Sequence, residues 1–123
     1  MSNGKEVKYA GRIEDLPLIP TPDHKGTTKR VIFGPGQFWE DHVARFFTVD
    51  PGNRSPFHAH DWPHYVLIVE GVGEAHILGD TYPLEPGYWA FVPSNTEHFF
   101  ENKGEGPLKF VCIVPRKGDD FQG

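Results

Sequence analysis

The chain has 123 residues, and its 17 acidic against 12 basic side chains give a formal net charge of −5. Chains of this length usually fold around one core, which 37% apolar residues can supply, while 14 Gly and 12 Pro break the chain too often for a helical bundle. The acid excess offers no basic stripe to nucleic acid, the apolar runs are too short for a bilayer or a leader, and Cys112 alone allows no internal disulfide, so a cytoplasmic protein is expected.

Residues 1–28 are polar and proline-rich. The run Leu16-Pro17-Leu18-Ile19-Pro20-Thr21-Pro22 cannot be a helix interior, because proline lacks the amide donor and pushes its predecessor toward extended geometry. An extended N-terminal arm is expected there. From residue 29 the pattern changes to short β runs: Arg30–Phe33, Val43–Val49, Tyr65–Val69, Glu74–Leu78, Tyr88–Val92, His98–Glu101 and Leu108–Val114. Gly/Pro corners separate them, among them Asp50-Pro51-Gly52, Gly79-Asp80 and Glu85-Pro86-Gly87. Many short strands with such corners predict an all-β sandwich or barrel, here over 29–116 with a tail at 117–123.

The run Tyr65–Val69 is apolar on both faces: Val66 and Ile68 on one, Tyr65, Leu67 and Val69 on the other. A sheet facing water on one side alternates apolar with polar residues, so something covers the second face. The arm around Leu16–Ile19 can contribute, but a second subunit is the expected cover, making the protein a homodimer.

Four of the seven histidines form a pattern. His58 and His60 stand at strand period 2 on one face, His64 follows the Asp61-Trp62-Pro63 corner, and His98 lies on a later strand. A barrel interior can bring four such imidazoles to one point, and imidazole is a common ligand of Zn, Cu, Fe and Ni. His24, His42 and His76 read as ordinary polar residues.

The frame around the four is more specific. Gly52-x5-His58-x-His60-x3-His64-x6-Gly71 resembles the first motif of the cupin superfamily, G-x5-H-x-H-x3-E-x6-G. Gly87-x5-Pro93-x-Asn95-x2-His98-x3-Asn102 resembles the second, G-x5-P-x-G-x2-H-x3-N. Two positions depart: His64 stands where most metal cupins have Glu, and Asn95 replaces a turn Gly, which Asn can do because it tolerates positive φ. The chain is most similar to the four-histidine monocupins, a group with manganese-binding members. The resemblance implies a cupin-type double-stranded β-helix, a jelly-roll barrel. It also implies one divalent transition metal per chain, held by His58, His60, His64 and His98.

Four neutral imidazoles leave the full 2+ charge on an ion, making it a strong Lewis acid with two adjacent positions for a substrate. The all-nitrogen set suits Mn or Fe foremost, with Ni, Cu and Zn also acceptable. Period 2 from His98 puts Phe100 and Asn102 inward. Phe57 and Trp62 flank the ligand turn, while Phe110 and Cys112 share a face that the resemblance turns toward the metal. Phe57, Trp62, Phe100, Phe110 and Cys112 form the expected substrate pocket. No general base, nucleophilic triad or phosphate loop is evident. The expected function is that of a metal-dependent oxidoreductase, dioxygenase-like, acting on a small bidentate apolar molecule. Non-redox isomerase, cyclase or decarboxylase chemistry, or small-molecule binding without turnover, stands beside it.

Overall fold

The computed structural model describes residues 7–19, 21, 25–55 and 59–119. Nine strands account for about half of them: β1 Leu18–Ile19, β2 Thr27–Phe33, β3 His42–Val49, β4 His64–Glu70, β5 Gly73–Ile77, β6 Asp80–Leu84, β7 Trp89–Val92, β8 His98–Asn102 and β9 Leu108–Pro115. Two 3-10 turns, Ile13–Asp15 and Arg116–Gly118, are the other elements, and there is no α-helix among the described residues. None of these helices is long and apolar enough to cross a membrane. The all-β jelly-roll expectation therefore holds.

The strands form a six-stranded sheet, ordered β1-β2-β3-β9-β4-β7, and a three-stranded sheet, ordered β6-β5-β8. Each observed pairing is antiparallel. Period-2 alternation sends Val66 and Ile68 of β4, Ala75 and Ile77 of β5, Phe100 of β8, and Leu108, Phe110, Cys112 and Val114 of β9 into one core between the sheets. Burial of this shared face is what joins two sheets that exchange no backbone ladder.

All seven anticipated runs are strands. The extended arm supplies β1, and one further strand, β6, was not anticipated. The Asp80-Thr81-Tyr82-Pro83-Leu84 segment carries a proline, which reads as a break, but β6 is an edge strand, where a missing amide donor is tolerated. The preceding corner is Leu78-Gly79, not Gly79-Asp80. Leu78 (φ 54°) and Gly79 (φ 79°) form the two-residue turn that matches right-handed strand twist, and Asp80 already pairs with Ile77. Gly71 connects β4 to β5 at φ 93°, and a Cβ there would collide with the Pro107 carbonyl oxygen, so no other residue fits without displacing the β8–β9 loop.

The arm contributes β1, paired with β2 at the edge of the large sheet remote from β4. Its described residues do not cover the outer face of β4, where Tyr65, Leu67 and Val69 are about half exposed.

Candidate metal centre

Three of the four patterned histidines are described, and strand geometry brings them together. His64 opens β4 and His98 opens β8, both buried and pointing between the sheets, while His60 lies just before the corner that leads into β4. The ring centroids are 4.7 Å apart for His64 and His98, 5.4 Å for His60 and His64, and 6.1 Å for His60 and His98. His58 and Phe57 lie outside the described residues, as does His24.

Each ring is held by its surroundings. His98 Nδ1 is 2.9 Å from the Thr96 carbonyl. A carbonyl only accepts, so Nδ1 carries the proton and a neutral ring keeps its lone pair on Nε2. His60 stacks on Trp62 at 4.6 Å and 5°, and Gly118 sits against that indole, where a Cβ would crowd its Nε1. His64 Nδ1 is 3.5 Å from the Cys112 sulfur. Asn95 adopts φ 60°, the left-handed conformation that its place in a glycine position demands, and its amide donates to the His60 carbonyl. That bond ties the loop before β8 to the loop before β4, which fixes the spacing of two of the rings.

Behind the imidazoles the interior is aromatic. Phe100 is edge-on to His98 at 6.0 Å, Phe110 tilts against Phe100 at 5.3 Å, and Phe47 follows at 5.5 Å. Trp62, Phe100, Phe110 and Cys112 thus all lie in one contact chain with the three histidines. Asn102 also points inward, but its amide is committed to the Val49 and Gly106 carbonyls and its oxygen to the Gly104 amide, which makes it a loop anchor.

The sequence reading missed Arg45. It alternates with Val43, Phe47 and Val49 along β3 and so points inward, a position where a basic residue is rare. Opposite it in register is Cys112 of β9. The guanidinium reaches the Cys112 sulfur at 3.0 Å, the Cys112 carbonyl at 3.2 Å and the Asp119 carboxylate at 2.8 Å. Lys29 converges on that carboxylate at 3.1 Å. Burial alone would lower the Arg45 pKa, but the Cys112 sulfur and Asp119 outweigh it and leave it raised. Burial pushes the Cys112 thiol up as well, with Arg45 pulling only partly the other way. The period-2 position of an Arg between apolar inward neighbours was the available signal.

The remaining described histidines differ from each other. His42 stacks on Trp39 at 4.9 Å at the start of β3. His76, on the outer face of β5, is no bystander: its Nε2 faces Glu101 at 3.1 Å and Glu74 at 3.6 Å.

Two antiparallel sheets closed face to face over an imidazole cluster define a small double-stranded β-helix barrel. The sequence profile of the cupin domain matches residues 45–114, and the chain belongs to that family. It is 31% identical over 77 residues to an oxalate-binding protein of Thermotoga maritima, covering 58% of this chain and 62% of that one. The chain spans from 16% to 62% of the length of the curated relatives it matches. Among solved structures, the polyketide cyclase RemF of Streptomyces resistomycificus superposes with a TM-score of 0.78 at 24% identity, over 89% of this chain and 80% of that one. An RmlC-like cupin of Shewanella frigidimarina gives 0.75 at 18% identity, over 94% and 96%.

Proposed function

We propose that the protein is a metal-dependent monocupin whose ligands are His58, His60, His64 and His98, and whose substrate is a small bidentate oxygen donor. The observation that carries this reading is the convergence of three imidazoles within 6.1 Å at the inner ends of β4 and β8. Their chemistry fits a borderline transition ion: neutral nitrogen donors, one of which has its lone pair fixed on Nε2 by the Thr96 carbonyl. A divalent transition metal bound there supplies Lewis acidity at adjacent open positions, with Mn or Fe the first choice.

The chain's own residues do the rest. Thr96 orients His98, Trp62 holds the His60 ring by stacking, and Cys112 lies against His64. Phe100, Phe110 and Phe47 exclude water from the interior and so strengthen any charge interaction within it. Arg45, its charge paired with Asp119, donates to the Cys112 sulfur and carbonyl and so holds Cys112 in place beside His64. The likeness to an oxalate-binding protein supports an oxygen-donor ligand.

Turnover is of the dioxygenase type, with O2 as co-substrate. Non-redox Lewis-acid chemistry is the second reading, favoured by the oxidisable Cys112 sulfur lying 3.5 Å from His64. The test is elemental analysis of protein purified without chelator, followed by oxygen-electrode assays with diketones, 2-hydroxy acids and oxalate. Mn or Fe at one per chain with substrate-dependent uptake is expected. Substrate consumption without O2 uptake selects the second reading, and a protein that takes up no metal refutes both.

We further propose that the outer face of β4 and β7 packs against a second copy of the chain. Tyr65, Leu67 and Val69 stand beside Trp89, which is 75% exposed, and Phe91. Trp89 and Phe91 also line an apolar groove of about 740 Å³, together with Ile77, Leu78, Tyr82 and Tyr88. A protruding indole and a hollow on one surface are what a two-fold, self-complementary interface requires.

A further inference from the structure

We propose that Glu74, His76 and Glu101 form a second divalent-metal site, on the outer face of the three-stranded sheet, that takes Zn2+ with water completing its shell. It is separate from the centre between the sheets: His98 and Glu101 sit on opposite faces of β8, and Ala75 and Ile77 fill the core beneath Glu74 and His76.

The register creates the site. Glu74 and His76 are two apart on β5 and share its outer face, while Glu101 of β8 is the direct cross-strand partner of Glu74. Like charges directly opposite each other destabilise a sheet, so this pair is unfavourable unless a cation stands between them. His76 alone does not resolve it. Both carboxylates face the same ring nitrogen, Glu101 Oε1 at 3.1 Å and Glu74 Oε1 at 3.6 Å, and one N–H can serve only one of them well. The three donor atoms lie within 4.8 Å of one another. Tetrahedral zinc, with bonds of about 2.0–2.2 Å, needs donor separations of about 3.3–3.6 Å, close to the two imidazole–carboxylate distances present.

The surroundings suit the same conclusion. Thr81, paired with His76 across the β5–β6 ladder, places its hydroxyl 3.2 Å from His76 Nδ1. When a metal replaces the Nε2 proton, Nδ1–H would donate to that hydroxyl and the Nε2 lone pair would face the ion, the arrangement that second-sphere partners of zinc-bound histidines provide. The ring is stacked on Phe99 at 4.2 Å, which limits its rotation, and Arg54 lies over the Phe99 ring. Lys103 approaches Glu101 through Oε2 at 3.5 Å, leaving Oε1 directed at the imidazole. Two carboxylates and a neutral imidazole carry 2−, of which Lys103 offsets part from the Oε2 side, and a mixed N/O set in a partly exposed position suits Zn2+.

The test is Zn2+ titration of the full chain against a chromophoric chelator, with wild type, His76→Ala, Glu101→Gln and Thr81→Val side by side. Both ligand variants should bind one equivalent fewer than wild type while the metal-free proteins stay folded, because the side chains lie outside the core; metal-free Glu101→Gln should melt no lower than wild type, since it removes the like-charge repulsion. Thr81→Val should keep the stoichiometry and weaken that equivalent about 10-fold. His64→Ala should leave it untouched, which keeps this site distinct from the interior one. Equal stoichiometry in wild type and both ligand variants overturns the proposal. So does an equal loss in His42→Ala, which would mark adventitious binding to surface histidines.

Discussion

The Arg45 guanidinium lies 2.8 Å from the Asp119 carboxylate, joining positions 74 residues apart, with side chains only 8% and 3% exposed. The pair fastens the C-terminal 3-10 turn to the barrel interior. Removing one partner of a buried ion pair strands the other charge, so Asp119→Ala should lose about 3–5 kcal/mol in guanidinium denaturation. Arg45→Met combined with Asp119→Ala should recover part of that loss, since Lys29 still loses its carboxylate partner. A single-variant loss below about 1 kcal/mol, the range of exposed pairs, contradicts this account.

Histidine identity at the centre is testable by substitution. His64→Ala should cost most of the interior metal, whereas His42→Ala should not, because His42 stacks on Trp39 away from the cluster. His64→Glu should fold and keep metal, with the site charge falling from 2+ to 1+ and azide binding weakened accordingly. Elemental analysis and azide titration read both effects. Metal retained in His64→Ala but lost in His42→Ala reverses the assignment.

Acid should strip the interior metal steeply. Each imidazole must be neutral to bind, so protons compete increasingly as the pH falls below about 6.5, the ordinary histidine value. Bound metal shifts the midpoint lower, and several coupled protons make the transition sharp. Metal content by pH-step dialysis should stay full at neutral pH and fall below that range; full retention far into acid in a folded protein would indicate carboxylate or thiolate ligands.

The Cys112 thiol should resist alkylation in the native protein. Burial raises its pKa above the ordinary 9.0, so at neutral pH it is protonated, and the reactive thiolate is scarce as well as inaccessible. Iodoacetamide at pH 8 should leave the folded chain unmodified and add one group on denaturation, read by intact mass. Rapid native modification would show that the β3–β9 interior is open.

Self-association through β4 and β7 predicts a dimer of twice 13.9 kDa in sedimentation. Trp89→Glu should yield a folded monomer, since a charge at the centre of an apolar face opposes pairing without touching the core. A wild type that sediments as a monomer at micromolar concentration excludes this interface.

Much of the site was legible from spacing, because period-2 strands and glycine corners act locally. His64, His98, Phe100 and Asn102 point inward as their strand positions require, and Asn95 takes the positive φ that its glycine position calls for. What alternation within one segment does not encode is which residue of another strand lies opposite. That decided the rest. Pro83 became acceptable once β6 lay at a sheet edge, Arg45 became a buried cation once β3 paired with β9 and Asp119 folded back, and His76 came to face two carboxylates once β5 and β8 aligned Glu74 with Glu101. Sequence periodicity sets the face of each side chain; cross-strand register, settled by packing of the whole core, sets its neighbours.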